Sequence, residues 1–223
     1  MVIKMLIYGK NVLHETDSKK IRRAFISNNN YIEYLRNNNI KYEIVDRNRL
    51  DNMVDGRHQG IVLDVFDYEY YKLSDIDSDF IVLLDHIEDP HNLGAIIRTC
   101  ECAGITNIII PKDRACLVND IVMKSSAGAL NNVKIIMVSN LNNALNDLKK
   151  QNYFIYSADM DGTDYRCLNY DGKKVLVIGN EGNGISKIIK DNSDFIVSIP
   201  MYGKINSLNA SVSAAILIYG MKR

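Results

Sequence analysis

The sequence predicts an α/β fold built around a parallel sheet. Candidate strands and helices alternate along the whole 223-residue chain, the order expected when helices cover both faces of such a sheet. Several strands hold an apolar core of the kind that is buried on both faces, FIVLL in FIVLLDHI and VLVIG in KKVLVIG above all. The segments between them, such as LNNALNDLKKQ, repeat their apolar residues at helical spacing.

The front of the chain reads as a unit of its own. KMLIYGKNVLHETDSKKIRRAFIS gives strand, turn, short helix and strand, YIEYLRNNNIKYEIVDRNRLDNMV gives helix, strand and helix, and HQGIVLDVF closes with a strand. This sets a small α/β domain at 1–66. YEYYKLSDIDSD has no period and many acids, so residues 67–78 are expected to be a linker. From 79 to 223 the order is FIVLLDHI (strand), LGAIIRTCECAG (helix ending at Gly104), ITNIIIP (strand), DIVMKSSAGAL (helix), VKIIMVS (strand) and LNNALNDLKKQ (helix). YFIYSADM and KKVLVIG follow as strands, then ISKIIKDN (helix), DFIVSIP (strand) and a final helix from NASVSAAILIYGMKR.

Composition narrows the class. With 47% hydrophobic and 24% charged residues the chain is an ordinary globular one. No apolar run reaches the ~18 residues of a membrane span, and MVIKMLIYGKNV lacks a cleavage-site pattern and reads as a first strand. Neither Cys100, Cys102, Cys116 and Cys167 nor His14, His58, His86 and His91 have metal-ligand spacing. Reduced, buried thiols in a cytoplasmic protein without a metal are expected. Residues 1–66 carry eleven Lys and Arg against eight Asp and Glu, the rest sixteen against nineteen. A basic front suits a domain that meets an anion, although such charges often only solvate a surface.

Three loops, each following a strand, carry candidate chemistry. In DHIEDPHNLGAIIRTCECAG, Asp89-Pro90 sets a turn, Asn92 can cap the next helix and Gly94 permits close backbone approach. Arg98 lies near the second helical turn, where the dipole disfavours it and a phosphate would suit it; a surface salt bridge is the plain alternative. In KKVLVIGNEGNGISKIIK the glycine order is G-x-x-G-x-G, not the dinucleotide fingerprint, and no Walker lysine follows. Glu181 inside that loop would repel a phosphate and suits a cationic or neutral polar ligand. In SIPMYGKINSLNASVSAAILIYGMKR, Ser207, Asn209 and the free N–H groups of the last helix are expected to form a polar pocket floor. Ala210, Ser211, Ser213, Ala214 and Ala215 allow that helix to pack closely.

Together, DPHNLGAIIRT, VIGNEGNGIS and IPMYGKINSLNASVSAA resemble the three motifs of the SpoU/TrmH family of SPOUT RNA 2′-O-ribose methyltransferases. MKSSAGAL, between the first two, resembles the family as well. LIYGKNVLHE looks like the opening of its small, ribosomal-protein-like RNA-binding domain, and VDRNRLDNMVDGRHQGIVLDV like the end of that domain in the branch that methylates large-subunit rRNA. NASVS departs from the pattern, in which Val commonly follows the Asn.

The resemblance implies a Rossmann-like parallel-sheet domain tied in a trefoil knot, an S-adenosylmethionine (AdoMet) donor, and a homodimer. It places Asn92, Arg98, Glu181, Ser207 and Asn209 at catalytic positions. Gly179, Asn180, Gly182, Ile199, Met201 and Leu208 would hold the cofactor, largely through backbone groups. Lys10, Asn11, Arg22 and Gln59 are candidates for RNA contact, with Arg23, Arg47, Arg49 and Arg57 nearby. The expected activity is methylation of a guanosine 2′-hydroxyl in 23S rRNA, with no metal and no membrane. A tRNA target, a non-catalytic RNA-binding or assembly factor on the same fold, and a nucleotide-phosphate binder are the alternatives. The wrong glycine order disfavours the last of these.

Overall fold

The computed structural model describes residues 5–65 and 68–222. The expected domain boundary at 66/67 lies outside the described residues, as does the start of the N-terminal run. The front unit contains β1 (Met5–Tyr8), α1 (Lys10–Glu15), β2 (Ile21–Ile26), α2 (Ile32–Asn37), β3 (Tyr42–Ile44), α3 (Arg47–Asp51) and β4 (Ile61–Val65). Its strands lie in the order β1-β4-β2-β3.

This first sheet is not the parallel one expected from strand–helix alternation. β2 and β3 pair in parallel, but β4 runs antiparallel to both β1 and β2 and lies between them. The reversal is made just before β4, where Gly56, Gln59 and Gly60 all have positive φ. Alternation alone carries no record of such a turn.

The second unit contains β5 (Phe80–Asp85), α4 (Pro90–Cys102), β6 (Asn107–Pro111), α5 (Asp120–Ser125), β7 (Lys134–Val138) and α6 (Leu141–Lys149). These are followed by β8 (Phe154–Asp164), β9 (Lys174–Gly179), α7 (Lys187–Asp191), β10 (Phe195–Ser198) and α8 (Ala210–Met221). The six strands order as β10-β8-β9-β5-β6-β7, and every pair is parallel. Along β5, Phe80, Val82 and Leu84 face one layer, where Leu93, Ile96 and Ile97 of α4, Val122 of α5 and Leu217 and Ile218 of α8 pack. Ile81 and Leu83 face the other, with Leu141, Leu145 and Leu148 of α6 and Ile189 of α7. Burial on both faces explains why the middle of β5 is apolar; of the thiols expected to be buried, Cys100 is, whereas Cys102 and Cys167 are exposed.

Two details bear on the site. β5 and β9 are neighbours with Asp85 opposite Gly179, so the loops that follow them leave the sheet side by side. This is the crevice at the carboxyl ends of the strands where α/β sheets bind ligands. β8 also runs past the expected end at Met160. Its pairing with β10 jumps from Ile196↔Ser157 to Val197↔Thr163, so residues 158–162 bulge out of the ladder.

The described part of the expected linker is a strap fixed to the sheet. Tyr71 forms a bridge with Ile136 of β7, and its N–H donates to the Ile135 carbonyl at 2.9 Å. The Val118 N–H donates to the Tyr70 hydroxyl at 2.9 Å. The expected helix DIVMKSSAGAL stops at Ser125 because Ala127 and Gly128 take positive φ.

Gly94 fixes how closely α4 approaches α5. A Cβ there would stand 1.8 Å from Ser125 Oγ and 3.1 Å from the Ser126 backbone nitrogen. Gly94→Ala is therefore expected to cost about 1–3 kcal/mol through overpacking, lowering the melting temperature by roughly 2–10 °C. Thermal unfolding followed by circular dichroism checks this, and an unchanged midpoint contradicts it.

Candidate active site

The site forms where three loops meet. α4 starts one residue after Asp89, whose side chain accepts from the His91 N–H at 2.9 Å, and Pro90 occupies the first helical position. Asn92 is therefore not the cap expected from the sequence. It lies inside the first turn, is buried, and points to the other loops. Its Nδ2 donates to Glu181 Oε1, and its Oδ1 accepts from Asn209 Nδ2 at 3.0 Å.

These amides are oriented in sequence. Asn209 Oδ1 accepts from the N–H groups of Ser211 and Val212 and from the Ser211 hydroxyl, at 2.9, 3.4 and 2.6 Å. With its oxygen committed to the start of α8, Asn209 can offer Asn92 only its NH2. Asn92 must answer with its oxygen, and its own NH2 is left for the Glu181 carboxylate. Asn209 thus fixes Glu181 through Asn92, joining three segments that are far apart in sequence. The same capping satisfies the Ser211 and Val212 N–H groups, which removes two of the donors expected at the start of α8.

The Asn180–Gly184 turn carries Glu181. Asn180 and Gly184 exchange backbone hydrogen bonds at 3.1 and 2.8 Å. Asn180 Oδ1 accepts from Gly182 N–H at 2.7 Å, and Asn180 Nδ2 donates to the His86 carbonyl at 2.9 Å. The returning chain crosses so near β9 that a Cβ on Gly179 would meet the Gly184 carbonyl carbon at 2.3 Å. Asp85, almost wholly buried, accepts from Ser186 N–H at 2.7 Å and engages His86 Nδ1 at 2.5 Å. His86 is held at φ 61°, a conformation uncommon outside glycine.

Beside this turn is a cavity of about 540 Å³, within the range of small-molecule sites. Ile178, Val197, Ala210 and Leu217 give it apolar walls; Asp159, Asp161 and Glu181 bring carboxylates. All six expected cofactor residues, Gly179, Asn180, Gly182, Ile199, Met201 and Leu208, line it, as do Ser207 and Glu181. Asn180 contributes through the shape of the turn, since its amide is committed to His86 and the loop. Asn92, Arg98 and Asn209 are not in the lining. Asn92 and Asn209 reach it through Glu181. Arg98 is exposed on α4, beyond the first turn where the dipole acts, and its side chain makes no hydrogen bond or ion pair among the described residues.

Sequence reasoning missed Asp159, Asp161 and Lys190. Asp159 and Asp161 lie on the β8 bulge, and Lys190 on α7 pairs with Asp159 at 2.9 Å. Burial works to raise the Asp159 pKa, but the Lys190 ammonium and local N–H groups outweigh it and hold it below the ordinary value. Asp159 in turn raises Lys190. A pair of acids just past a buried strand, at a sheet's carboxyl edge, was the available signal.

On the front unit, Lys10 and Asn11 are exposed at the start of α1. Gln59 accepts from the Lys10 N–H at 2.9 Å, which fastens the turn before β4 to α1. Arg22, expected to contact RNA, is engaged within the fold. It pairs with the mostly buried Asp64 at 3.0 Å and donates to the Val65 carbonyl at 3.1 Å, so its guanidinium braces β4. Arg49 and Arg23 both face Glu43, at 2.7 and 3.7 Å.

Residues 79–219 match the SpoU rRNA Methylase family, and residues 6–71 match the RNA 2′-O ribose methyltransferase substrate binding family. YacO of Bacillus subtilis (strain 168), assigned to the TrmH family of tRNA/rRNA methyltransferases, is 36% identical over 97% of this chain and 94% of its own length. A TrmH-family protein of Staphylococcus haemolyticus (strain JCSC1435) is 37% identical over 87% and 82%. Among solved structures, the SpoU methyltransferase AviRb of Streptomyces viridochromogenes, in complex with AdoMet, superposes with a TM-score of 0.82 at 23% identity. That match covers 97% of this chain and 88% of AviRb. The chain belongs to the SpoU rRNA methylase family, a family of AdoMet-dependent RNA 2′-O-ribose methyltransferases.

The Asn92–Glu181 link gives a test. In Asn92→Asp the donor is replaced by a second carboxyl facing Glu181. Two such groups cannot both ionise cheaply, so one pKa rises. The protonated carboxyl can donate as the amide did, and this form is lost as pH rises through the raised pKa. Methyl-transfer activity relative to wild type is expected to be highest near pH 5.5 and to fall toward pH 8. A ratio independent of pH contradicts the link.

Proposed function

We propose that this protein transfers the AdoMet methyl group to the ribose 2′-hydroxyl of a guanosine in large-subunit (23S) rRNA, in the cytoplasm and as a homodimer. The observation that carries the reading is the Asn209–Asn92–Glu181 chain beside a cavity suited to AdoMet. The fit has three parts. Apolar walls accept the adenine, and carboxylates favour a sulfonium cation. Residues 199–208 form no backbone–backbone hydrogen bond among the described residues, which leaves their N–H and C=O groups for a ligand. The trefoil knot implied by the motifs belongs to this reading, with residues 199–222 as the threaded segment.

Bound AdoMet supplies an electrophilic methyl group on a cationic sulfur. The chain's own work is then positional and electrostatic. Gly179, Ile199 and Leu208 would fix the cofactor through their backbone. Glu181, held by Asn92, would set the charge beside the sulfur, and Ser207 would orient the ribose. Arg98, a cation exposed on α4, would pair with a phosphate and stabilise the developing alkoxide. The partner protomer is expected to meet α8, where Val212 and Tyr219, seven residues apart on one helical face, are exposed.

The rRNA target is favoured by the two-unit architecture. A structure described as an rRNA methyltransferase, from Sinorhizobium meliloti, aligns over 98% of this chain with a TM-score of 0.84 at 22% identity, a likeness of fold. One described as a tRNA-modifying enzyme, from A. aeolicus, aligns over 67% with a TM-score of 0.60 at 30% identity. A tRNA target is the second reading, because the curated relatives' names include both RNAs.

The purified protein, given methyl-labelled AdoMet with unmodified rRNA or tRNA transcripts, is expected to leave alkali-resistant labelled dinucleotides in large-subunit rRNA. Label confined to tRNA would overturn the target. Arg98→Ala is expected to lower transfer by about 100-fold or more while calorimetric AdoMet affinity stays within about twofold. Equal loss of both would remove Arg98 from the RNA and alkoxide role.

A further inference from the structure

The loop between β10 and α8 presents apolar side chains in two directions. Residues 201–209 are all exposed. Met201 and Leu208 line the cavity, while Tyr202, adjacent to Met201, is not in the lining. Tyr202 is 88% exposed, the most exposed of the large apolar side chains among the described residues, and Ile205 is next at 76%. A mobile surface tyrosine would need no explanation, but Tyr202 is tethered. Its hydroxyl receives a hydrogen bond from Arg166 Nη2 at 3.2 Å. Arg166 is itself clamped to Asp164, with Nε at 3.0 and 3.1 Å and Nη2 at 2.6 Å from the carboxylate oxygens. Asp164 also accepts from the Arg166 N–H at 3.0 Å. A guanidinium in that planar, multiply bonded geometry is a rigid support, so the phenol ring is placed at its outer edge and left bare on its faces.

We propose that Tyr202, positioned by the Arg166–Asp164 clamp, is a stacking platform for an RNA base next to the methyl-accepting ribose. The proposal rests on the methyltransferase reading, which requires a ribose to be delivered to the mouth of this cavity. The cofactor is not the ring's partner, because Met201 turns toward the cavity and Tyr202 does not. Electrostatics agree. Asp159, Asp161 and Glu181 make the cavity itself inhospitable to phosphates. The Arg166–Asp164 pair is neutral, and Lys204, two residues beyond Tyr202, is exposed and can meet the backbone. RNA enzymes and RNA-binding proteins hold unpaired nucleotides by such aromatic stacking. Tyr202 is a specificity-determining residue here, not a catalytic one.

The test is filter binding of the full chain, saturated with S-adenosylhomocysteine, to unmodified in-vitro transcripts of large-subunit rRNA and of tRNA, with calorimetry of AdoMet binding alongside. Tyr202→Ala is expected to weaken the tighter-binding transcript by about 5- to 100-fold. Tyr202→Phe, which keeps the ring, should stay within about twofold, and AdoMet affinity should be unchanged in both. Wild-type RNA affinity in Tyr202→Ala overturns the platform. Equal losses in the Phe and Ala variants overturn it in favour of a hydroxyl contact, and loss of AdoMet binding overturns it in favour of a loop-shaping role. If wild type methylates neither transcript but binding still drops in Tyr202→Ala alone, the ring's contact with RNA stands and the proposed target fails.

Discussion

One short chain of amides holds the site together. Asn209 Oδ1 is consumed by the first turn of α8, and that commitment passes through Asn92 to Glu181. The three groups belong to loops after β5, β9 and β10, and no other side-chain contact among the described residues joins all three. A buried amide deprived of its partner costs about 1–3 kcal/mol, so the loops are held to one arrangement more strictly than surface loops usually are. The neighbouring Asp85 and Asn180 contacts serve the same end by fixing the turn that carries Glu181.

The cavity depends on this arrangement and on the bulge in β8. If β8 and β10 had paired without interruption, residues 158–162 would have stayed in the sheet and left the cavity without a wall. The bulge brings Asp159 to Lys190 and sets carboxylates around a space walled in part by aliphatic side chains. Such a surface suits a cationic sulfonium ligand with a flat aromatic base, and it discourages a polyphosphate. Function is thereby divided within the fold. In the proposed reading the cavity takes the cofactor, and the outward-facing Tyr202 and the front unit are left for RNA.

Much of the fold was legible because apolar runs such as FIVLL and VLVIG are buried on both faces, as the central strands of a covered parallel sheet are. The motif loops were legible because their polar residues interrupt those runs. What stayed hidden depended on tertiary pairing. Asn92 and Asp89 are both good caps, and only the structure shows that Asp89 takes the role and frees Asn92. The Arg22 brace was hidden because its partner Asp64 lies 42 positions away in sequence on an adjacent strand. The mixed front sheet and the β8 bulge were invisible for a similar reason, since neither the reversal before β4 nor a register shift leaves a periodic trace.

The most direct measurement is a crystal structure of the protein with S-adenosylhomocysteine. The account predicts the ligand in the cavity, with its adenine against the backbone of Gly179, Ile199 and Leu208 and the Asn92–Glu181 and Asn92–Asn209 bonds intact. A ligand bound elsewhere, or a cavity that fills only after those bonds are broken, would contradict it.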